Sequence, residues 1–130
     1  MGLRKTYGFT LIELMVVMAI IGTLLSIVAP RYFKSLDHAR ETALKQDLSI
    51  MREAISHFHG DLNRYPQSLN ELVERRYLKS IPTDPITDST ETWIAVPTPD
   101  AGPAVGQAGL YDIMTGAAGN ASDGTPYSSF

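Results

Sequence analysis

One apolar stretch does most to limit what this sequence can fold into. Residues 9–29 carry a single formally charged side chain, Glu13, and are otherwise apolar or small and uncharged. At about 1.5 Å per residue, a helix over this run is roughly 31 Å long, which matches a hydrocarbon core of about 30 Å. The sequence therefore predicts a membrane-spanning helix over residues 9–29.

A cleavable secretory signal is an alternative interpretation of this run, because Arg4 and Lys5 precede it. Such a signal has small residues before its cut. A cut after Ala29 would place Ile27 three residues before the bond and Pro30 just after it. We therefore expect the apolar helix to be kept in the mature protein.

Glu13 is the most informative residue in the apolar run. An ionised side chain costs about 2.5 to 3.5 kcal/mol at the centre of a membrane helix and less near the interface. One interpretation is that Glu13 lies shallow enough to reach the lipid headgroups. The other is that it meets a cation, and an amine freed on Phe9 of a neighbouring, axially shifted subunit is suitable. At about 4 Å and an effective dielectric near 20, such a pair attracts by roughly 4 kcal/mol before desolvation.

A known processing signal is similar to the run from Lys5 to Leu14, KTYGFTLIEL. The run resembles the class III signal of type IV pilins and type II secretion pseudopilins. Its basic leader is short, glycine precedes the cut, phenylalanine follows it, and glutamate is the fifth mature residue. The resemblance implies that a prepilin peptidase cuts between Gly8 and Phe9 and methylates the new amine. It also implies that Glu13 pairs with the amine of an adjacent subunit.

Gly22 and Pro30 are predicted to weaken the apolar helix. Proline has no amide hydrogen, so Pro30 leaves the carbonyl of Ser26 without its helical partner. Glycine costs about 1 kcal/mol relative to alanine in a helix. Membrane helices tolerate both residues, which is the ordinary interpretation. The family has its helix-weakening glycine and proline at these positions, so the resemblance implies a stretch of the filament that can extend.

After Pro30, apolar residues recur every three or four positions, which predicts an amphipathic helix over residues 30–62. Gly60 and Asp61 mark its end, and one helix of roughly 50 residues from Phe9 is expected. The apolar positions are Phe33, Leu36, Ala39, Ala43, Leu44, Leu48, Met51, Ala54, Ile55, Phe58 and Leu62.

Residues 63–130 are predicted to form a small α+β head with C-terminal loops. Ser68 and Glu71 have the spacing of a capping box that opens a short helix to about Tyr77. Two β-prone runs, residues 92–96 and 110–114, are expected to pair antiparallel, with room for a third strand. The segment 97–109 between them lacks helical or strand period and is expected to be a mobile loop or a contact surface. Residues 1–8 are the expected leader.

The head also resembles a known family. Residues 64–85 contain segments similar to the head of the major pseudopilin of type II secretion: Arg64-Tyr65-Pro66, Ser68-Leu69, Leu72-Val73, Tyr77-Leu78 and Ile81-Pro82-Thr83-Asp84-Pro85. In that family the C-terminal loop often binds calcium, which prefers six to eight oxygen ligands. Here the segment 111–119 has alanine where an acidic ligand is expected. Asp123 is the remaining candidate ligand, although Asp123-Gly124 fits a turn equally well. Asp112 is expected to face solvent.

No catalytic pattern emerges from the sequence. The chain has no cysteine and a net charge of −3, so disulfides are excluded and nothing favours nucleic-acid binding. His57 and His59 would point about 200° apart on a helix, which makes them poor partners for one metal. Phosphate-binding glycine motifs and nucleophile elbows are also missing, and we predict that the protein is not an enzyme.

The resemblance implies a structural subunit of a type II secretion pseudopilus. Such a subunit is a single-pass protein of the bacterial inner membrane with its head in the periplasm. It would form a homopolymer that drives export across the outer membrane. Its expected partners are the prepilin peptidase, the inner-membrane assembly platform and minor pseudopilins. A type IV pilus subunit for adhesion, motility or DNA uptake is one alternative, although many such pilins close a C-terminal loop with a disulfide. A single-span periplasmic binding module that does not polymerise is the other.

Overall fold

The computed structural model describes residues 2–99 and 109–130. Most of the predicted loop over residues 97–109 lies outside these ranges. The chain divides into two compact units, residues 1–36 and 37–130, which we call the stem unit and the head unit. The elements, in chain order, are helix α1 (Leu11–Leu62), helix α2 (Leu69–Glu74), strand β1 (Trp93–Pro97), strand β2 (Leu110–Thr115) and a 3-10 turn (Tyr127–Ser129). The predicted α+β class is confirmed, with one long helix, one short helix and an antiparallel pair of strands.

In the stem unit, α1 has apolar side chains on every side. Within the described residues, the apolar part of α1 is not buried, and its length and composition suffice to cross a membrane. Two hydroxyl groups in the apolar run bond to their own helix: Thr23 donates to the carbonyl of Ala19 and Ser26 to that of Gly22, both at 2.8 Å. A hydroxyl satisfied in this way does not need water, which suits an apolar surrounding.

In the head unit, α1 buries a single stripe of apolar side chains. The stripe advances by four and three residues alternately, so its members lie one above another on the same face. It packs on residues from α2, from the segment that follows α2 and from β2, and together they form the core of the unit. The buried members are Leu44, Leu48, Met51, Ile55 and Phe58 of α1 with Leu72, Leu78, Leu110 and Ile113.

The capping box predicted for α2 forms only in part. The hydroxyl of Ser68 accepts the backbone N–H of Glu71 at 3.3 Å, as predicted. The Glu71 carboxylate, however, accepts the N–H of Gln67 at 2.7 Å and the guanidinium of Arg64 at 2.5 Å. The helix also ends at Glu74 rather than near Tyr77, because Arg76 has a left-handed backbone (φ 65°) that a helix cannot contain.

The two strands pair antiparallel close to the predicted positions, and a bulge alters which side chains reach the core. Val96 pairs with Asp112 and Pro97 with Leu110, so Tyr111 is an extra residue in β2. A bulge breaks the alternation of side chains along a strand. As a result Leu110 and Ile113, three residues apart, are both buried. The third strand expected from the sequence does not occur in the described residues.

A buried carboxylate ties the proline-rich segment to the sheet. Asp84 is fully buried, and one of its oxygens accepts the backbone N–H of Ile86 at 2.8 Å. Its other oxygen accepts the hydroxyl of Thr115 at the end of β2. The indole N–H of Trp93 also donates to the carbonyl of Pro82 at 2.8 Å. These bonds compensate the cost of burying polar groups and hold a segment that has no helix or strand of its own.

The stability of the head unit should depend on pH through Asp47. Burial of its carboxyl group, and then the nearby Asp84 carboxylate, raise the pKa of Asp47 above its usual value. A group with a raised pKa stabilises the fold below its unfolded pKa, and this contribution is lost as pH rises through the folded pKa. Asp47→Asn should therefore stabilise the head at pH 7, by on the order of 0.5 kcal/mol, and less so below pH ~4. Urea unfolding at several pH values measures this, with exposed Glu53→Gln as the control. An equal gain at all pH values would contradict the electrostatic cause.

Candidate processing and assembly site

The peptide bond between Gly8 and Phe9 lies just before α1. The helix begins at Leu11, and the described residues that precede it have no regular structure and are exposed. A Cβ atom added at Gly8 would meet nothing within 4 Å. The packing of the chain therefore gives no reason for glycine at this position. If glycine is required at position 8, the requirement comes from an enzyme that cuts the Gly8–Phe9 bond.

Thr10 and Glu13 form a capping box at the start of α1. The backbone N–H of Glu13 bonds to the hydroxyl of Thr10 at 3.3 Å, and the N–H of Thr10 bonds to the Glu13 carboxylate at 2.9 Å. Both residues thus satisfy N–H groups that the first helical turn leaves free. This capping box was not predicted, although Thr-x-x-Glu at the start of an apolar run is its known signal.

The carboxylate of Glu13 keeps capacity for a further partner. An ionised carboxylate accepts about four hydrogen bonds, and Thr10 supplies one of them. Glu13 lines an open groove on the stem together with Phe9, Ile12, Val16 and Val17. A cation that reached this groove would find one carboxylate among apolar side chains, where charges attract more strongly than in water.

Gly22 and Pro30 both lie inside α1. The structure does not end the helix at either residue. The hydroxyl of Ser26 donates to the carbonyl of Gly22, so this carbonyl has a side-chain donor in addition to its place in the helix. That the pair weakens the helix stays a prediction.

The C-terminal loop does not have the chemistry of a calcium site. Asp123 is exposed, and its carboxylate accepts the backbone N–H of Thr125 at 2.9 Å, which closes a local turn. Backbone and side-chain hydrogen bonds from Thr125, and then the charge of Lys45, lower the pKa of Asp123. Across residues 2–99 and 109–130, no three histidine or acidic side chains come together where they could hold a metal. The residues present do not fit the calcium site that the resemblance implies.

Other polar side chains considered in the sequence also have local partners. Asp112, which is expected to face solvent, has a side chain that is partly exposed and forms an ion pair with Arg52 at 2.7 Å. His57 lies 3.5 Å from Glu53, whereas His59 stacks on Tyr65 with ring centroids 4.1 Å apart. The two histidines therefore have different neighbours and do not form one site.

Comparison with known proteins identifies the family. The family model for the prokaryotic N-terminal methylation motif matches residues 3–29. Type II secretion system core protein G of Pseudomonas aeruginosa is 35% identical, and the match covers 63% of this chain and 69% of that protein. The proteins of the same name from Aeromonas hydrophila and Escherichia coli K12 are each 33% identical, with 63% and 62% of this chain and 68% and 67% of each relative covered.

The chain belongs to the type II secretion system core protein G family. The resemblance seen in the leader and the head is thereby confirmed. The type IV major pilin protein PilA of Myxococcus xanthus is also related, at 38% identity, but the match covers 52% of this chain and 31% of that protein. No match to this chain was found among solved structures.

Membership of the core protein G family and the apolar part of α1 together give the location. The methylation motif covers the leader and the apolar run, and that run is long enough to span a bilayer once. The protein is a single-pass pseudopilin of the inner membrane with its head unit in the periplasm.

Replacing Gly22 with alanine tests the predicted weakening of the helix. A Cβ at this position meets nothing within 4 Å, so the added methyl group causes no clash. Gly22→Ala should stabilise the local helix by about 1 kcal/mol and slow local amide exchange roughly fivefold in detergent micelles. Ala19→Gly, one turn earlier, is the matched control and should speed exchange. Equal exchange in all three proteins would show that glycine does not limit opening of this stretch.

Proposed function

We propose that this chain is the structural subunit of a periplasmic pseudopilus that polymerises from the inner membrane and supports protein export across the outer membrane. The observation that carries the proposal is the stem unit: its apolar surface is exposed on all sides, and one carboxylate stands at its start. Such a surface needs either lipid or other copies of itself around it. The proposed role is one of packing rather than catalysis.

Charge, rather than apolar contact, would specify how the stems pack. Lipid tails are about as apolar as the stem, so moving a stem from the bilayer into a filament yields little hydrophobic free energy. A pair of opposite charges attracts more strongly in a surrounding of low dielectric, and its attraction is greatest at short distance. Glu13 is the one ionisable residue in the stretch 9–29, so it is the residue that can fix the axial step.

The cation that we assign to Glu13 is the amine of Phe9 in an adjacent copy. A prepilin peptidase would cut after Gly8, which turns the amide of Phe9 into a charged amine at the depth of the carboxylate. The groove lined by Phe9, Glu13 and Val16 gives that amine an apolar surrounding. Since Thr10 engages one acceptor position of Glu13, the remaining oxygen positions are free for the second copy.

Assembly would also involve proteins other than this chain. We propose that an inner-membrane assembly platform feeds subunits into the filament and that minor pseudopilins start it. The similarity to PilA keeps a type IV pilus subunit as the second candidate, although the match covers 31% of PilA. A single-span binding module would leave both the Gly8–Phe9 signal and Glu13 without a role.

The processing step is testable by mass spectrometry of protein from native membranes. The wild-type chain should begin at N-methylated Phe9. Gly8→Leu should remain uncut at better than 90% while the head unit folds normally, because the glycine has no packing role. Gly2→Leu is the matched control, since a Cβ there also meets nothing within 4 Å, and it should be cut as usual. A wild-type chain that begins at Met1, or a Gly8→Leu chain that is cut, would contradict the proposal.

The assembly step is testable with two substitutions of Glu13 that differ in one property. Glutamine can replace glutamate in a capping box but carries no charge, whereas alanine loses both properties. If Glu13 pairs with an amine, Glu13→Gln and Glu13→Ala should both lose filaments at least tenfold in a shear assay, with processing unchanged. If Glu13 acts only through Thr10, the glutamine variant should assemble like wild type, and the pairing would be wrong. Thr10→Ala, which keeps the charge, is the control for the cap itself.

A further inference from the structure

The C-terminal segment, residues 116–130, has little regular structure to hold it in place. A 3-10 turn at Tyr127–Ser129 is its one helical element. Its internal bonds are short-range, such as the N–H of Gly124 to the carbonyl of Ala121 at 2.9 Å. After Lys79 the sequence has no lysine, arginine or histidine. Within the given sequence, cationic side chains that contact these residues therefore come from earlier positions.

A buried carboxylate on α1 holds the segment at Ser122. Glu41 is 6% exposed. Its two oxygens accept the backbone N–H of Ser122 at 2.6 Å and the Ser122 hydroxyl at 2.7 Å. A carboxylate that accepts two well-placed donors makes hydrogen bonds about twice as strong as neutral ones.

Two cationic side chains of α1 contact the chain on either side of Ser122, at residues 112–113 and at Phe130. The guanidinium of Arg52 pairs with Asp112 at 2.7 Å and donates to the carbonyls of Ile113 and Phe130, each at 3.1 Å. The ammonium of Lys45 lies 4.7 Å from the centre of the Phe130 ring. Phe130 is thus held by a hydrogen bond and a cation–π contact.

Glu41, Lys45 and Arg52 lie on one face of α1. At about 100° per residue, positions four and eleven apart differ by roughly 40° and 20° around the helix. The three side chains therefore form a row that runs along the C-terminal segment. We call this row the anchoring row.

The polarity of the loop around Glu41 is opposite to that of a cation site. A calcium ion needs oxygen atoms that accept, and it takes six to eight of them. Here Ser122 turns two hydrogen-bond donors toward Glu41. The buried positions in the segment are Ala117 and Ala121, whose side chains have no oxygen. Asp123 has its carboxylate in a turn with Thr125.

We infer that the Glu41 carboxylate closes the C-terminal loop in this protein by accepting both donors of Ser122, and that the head unit needs no divalent cation to fold. Glu41, a side chain of α1, holds the loop in place of a bound ion. Arg52 and Lys45 add contacts to Asp112 and Phe130 on either side of Ser122. The inference concerns the head unit alone and holds whether or not the chain forms a filament.

Thermal unfolding of the full mature chain in detergent micelles tests the inference. The chain has one tryptophan, Trp93, which bonds to Pro82 in the head unit, so its fluorescence reports unfolding of that unit. The wild-type midpoint should be the same in excess calcium and in excess chelator. Glu41→Gln leaves a donor of Ser122 without its acceptor and should lower the midpoint by about 4 °C or more. Glu53→Gln, an exposed carboxylate on the same helix, is the matched control and should shift it by less than about 2 °C.

Ser122→Ala supplies a second route that does not depend on the folding of the Glu41 variant. It removes the hydroxyl and keeps the backbone donor, so it should lower the midpoint less than Glu41→Gln does. The double variant should then unfold close to Glu41→Gln, because both changes break the same contact. A wild-type midpoint that rises by several degrees in calcium would overturn the inference. So would Glu41→Gln and Ser122→Ala variants that both match Glu53→Gln.

Discussion

Burial of apolar surface along one helix is the constraint on which the rest of this structure depends. In the stem unit α1 is apolar on all sides, and no described residue of the chain covers it. In the head unit the same helix has one apolar stripe, and α2, the segment after it and β2 cover that stripe. The first surface calls for lipid or for other copies of the chain, whereas the second is satisfied within the chain. The same helix can therefore contribute an exposed apolar surface in the stem unit and part of the core in the head unit.

Three carboxylates of the chain differ in their burial and in the donors that the chain gives them. Glu41 and Asp84 are buried, and donors from the chain take up both oxygens of each. Glu13 is exposed and has one local donor, from Thr10. A buried carboxylate with a donor on each oxygen supports the fold, because removing its donors would leave a buried charge unpaired. A carboxylate in an apolar stretch with a donor on only one oxygen keeps an acceptor position, which a cation in an assembly contact could occupy.

Local sequence patterns predicted the positions of α1 and the two strands, whereas contacts between residues distant in sequence were not predicted. The apolar run and the spacing of three and four placed α1 within about two residues of its ends, and the two strands within about one. The bulge at Tyr111 was not predicted, because it depends on which residues of β1 face β2. The contact of Glu41 with Ser122 spans 81 residues in sequence, so no local window contains it. Thr10 and Glu13 are three residues apart, and their contact could have been read from the sequence.

A loop held by a side chain of its own protein depends on solution conditions differently from a loop held by a bound ion. Stabilisation by a bound ion follows mass action and therefore varies with the free concentration of that ion around the protein. A head closed by Glu41 has its partner at a fixed effective concentration, set by the position of Glu41 on α1. The anchoring row lies on the helix whose stripe forms the core, so the loop is placed by the same element that organises the head. Stability of the loop and stability of the core are then coupled, and both are set by the residues of this chain.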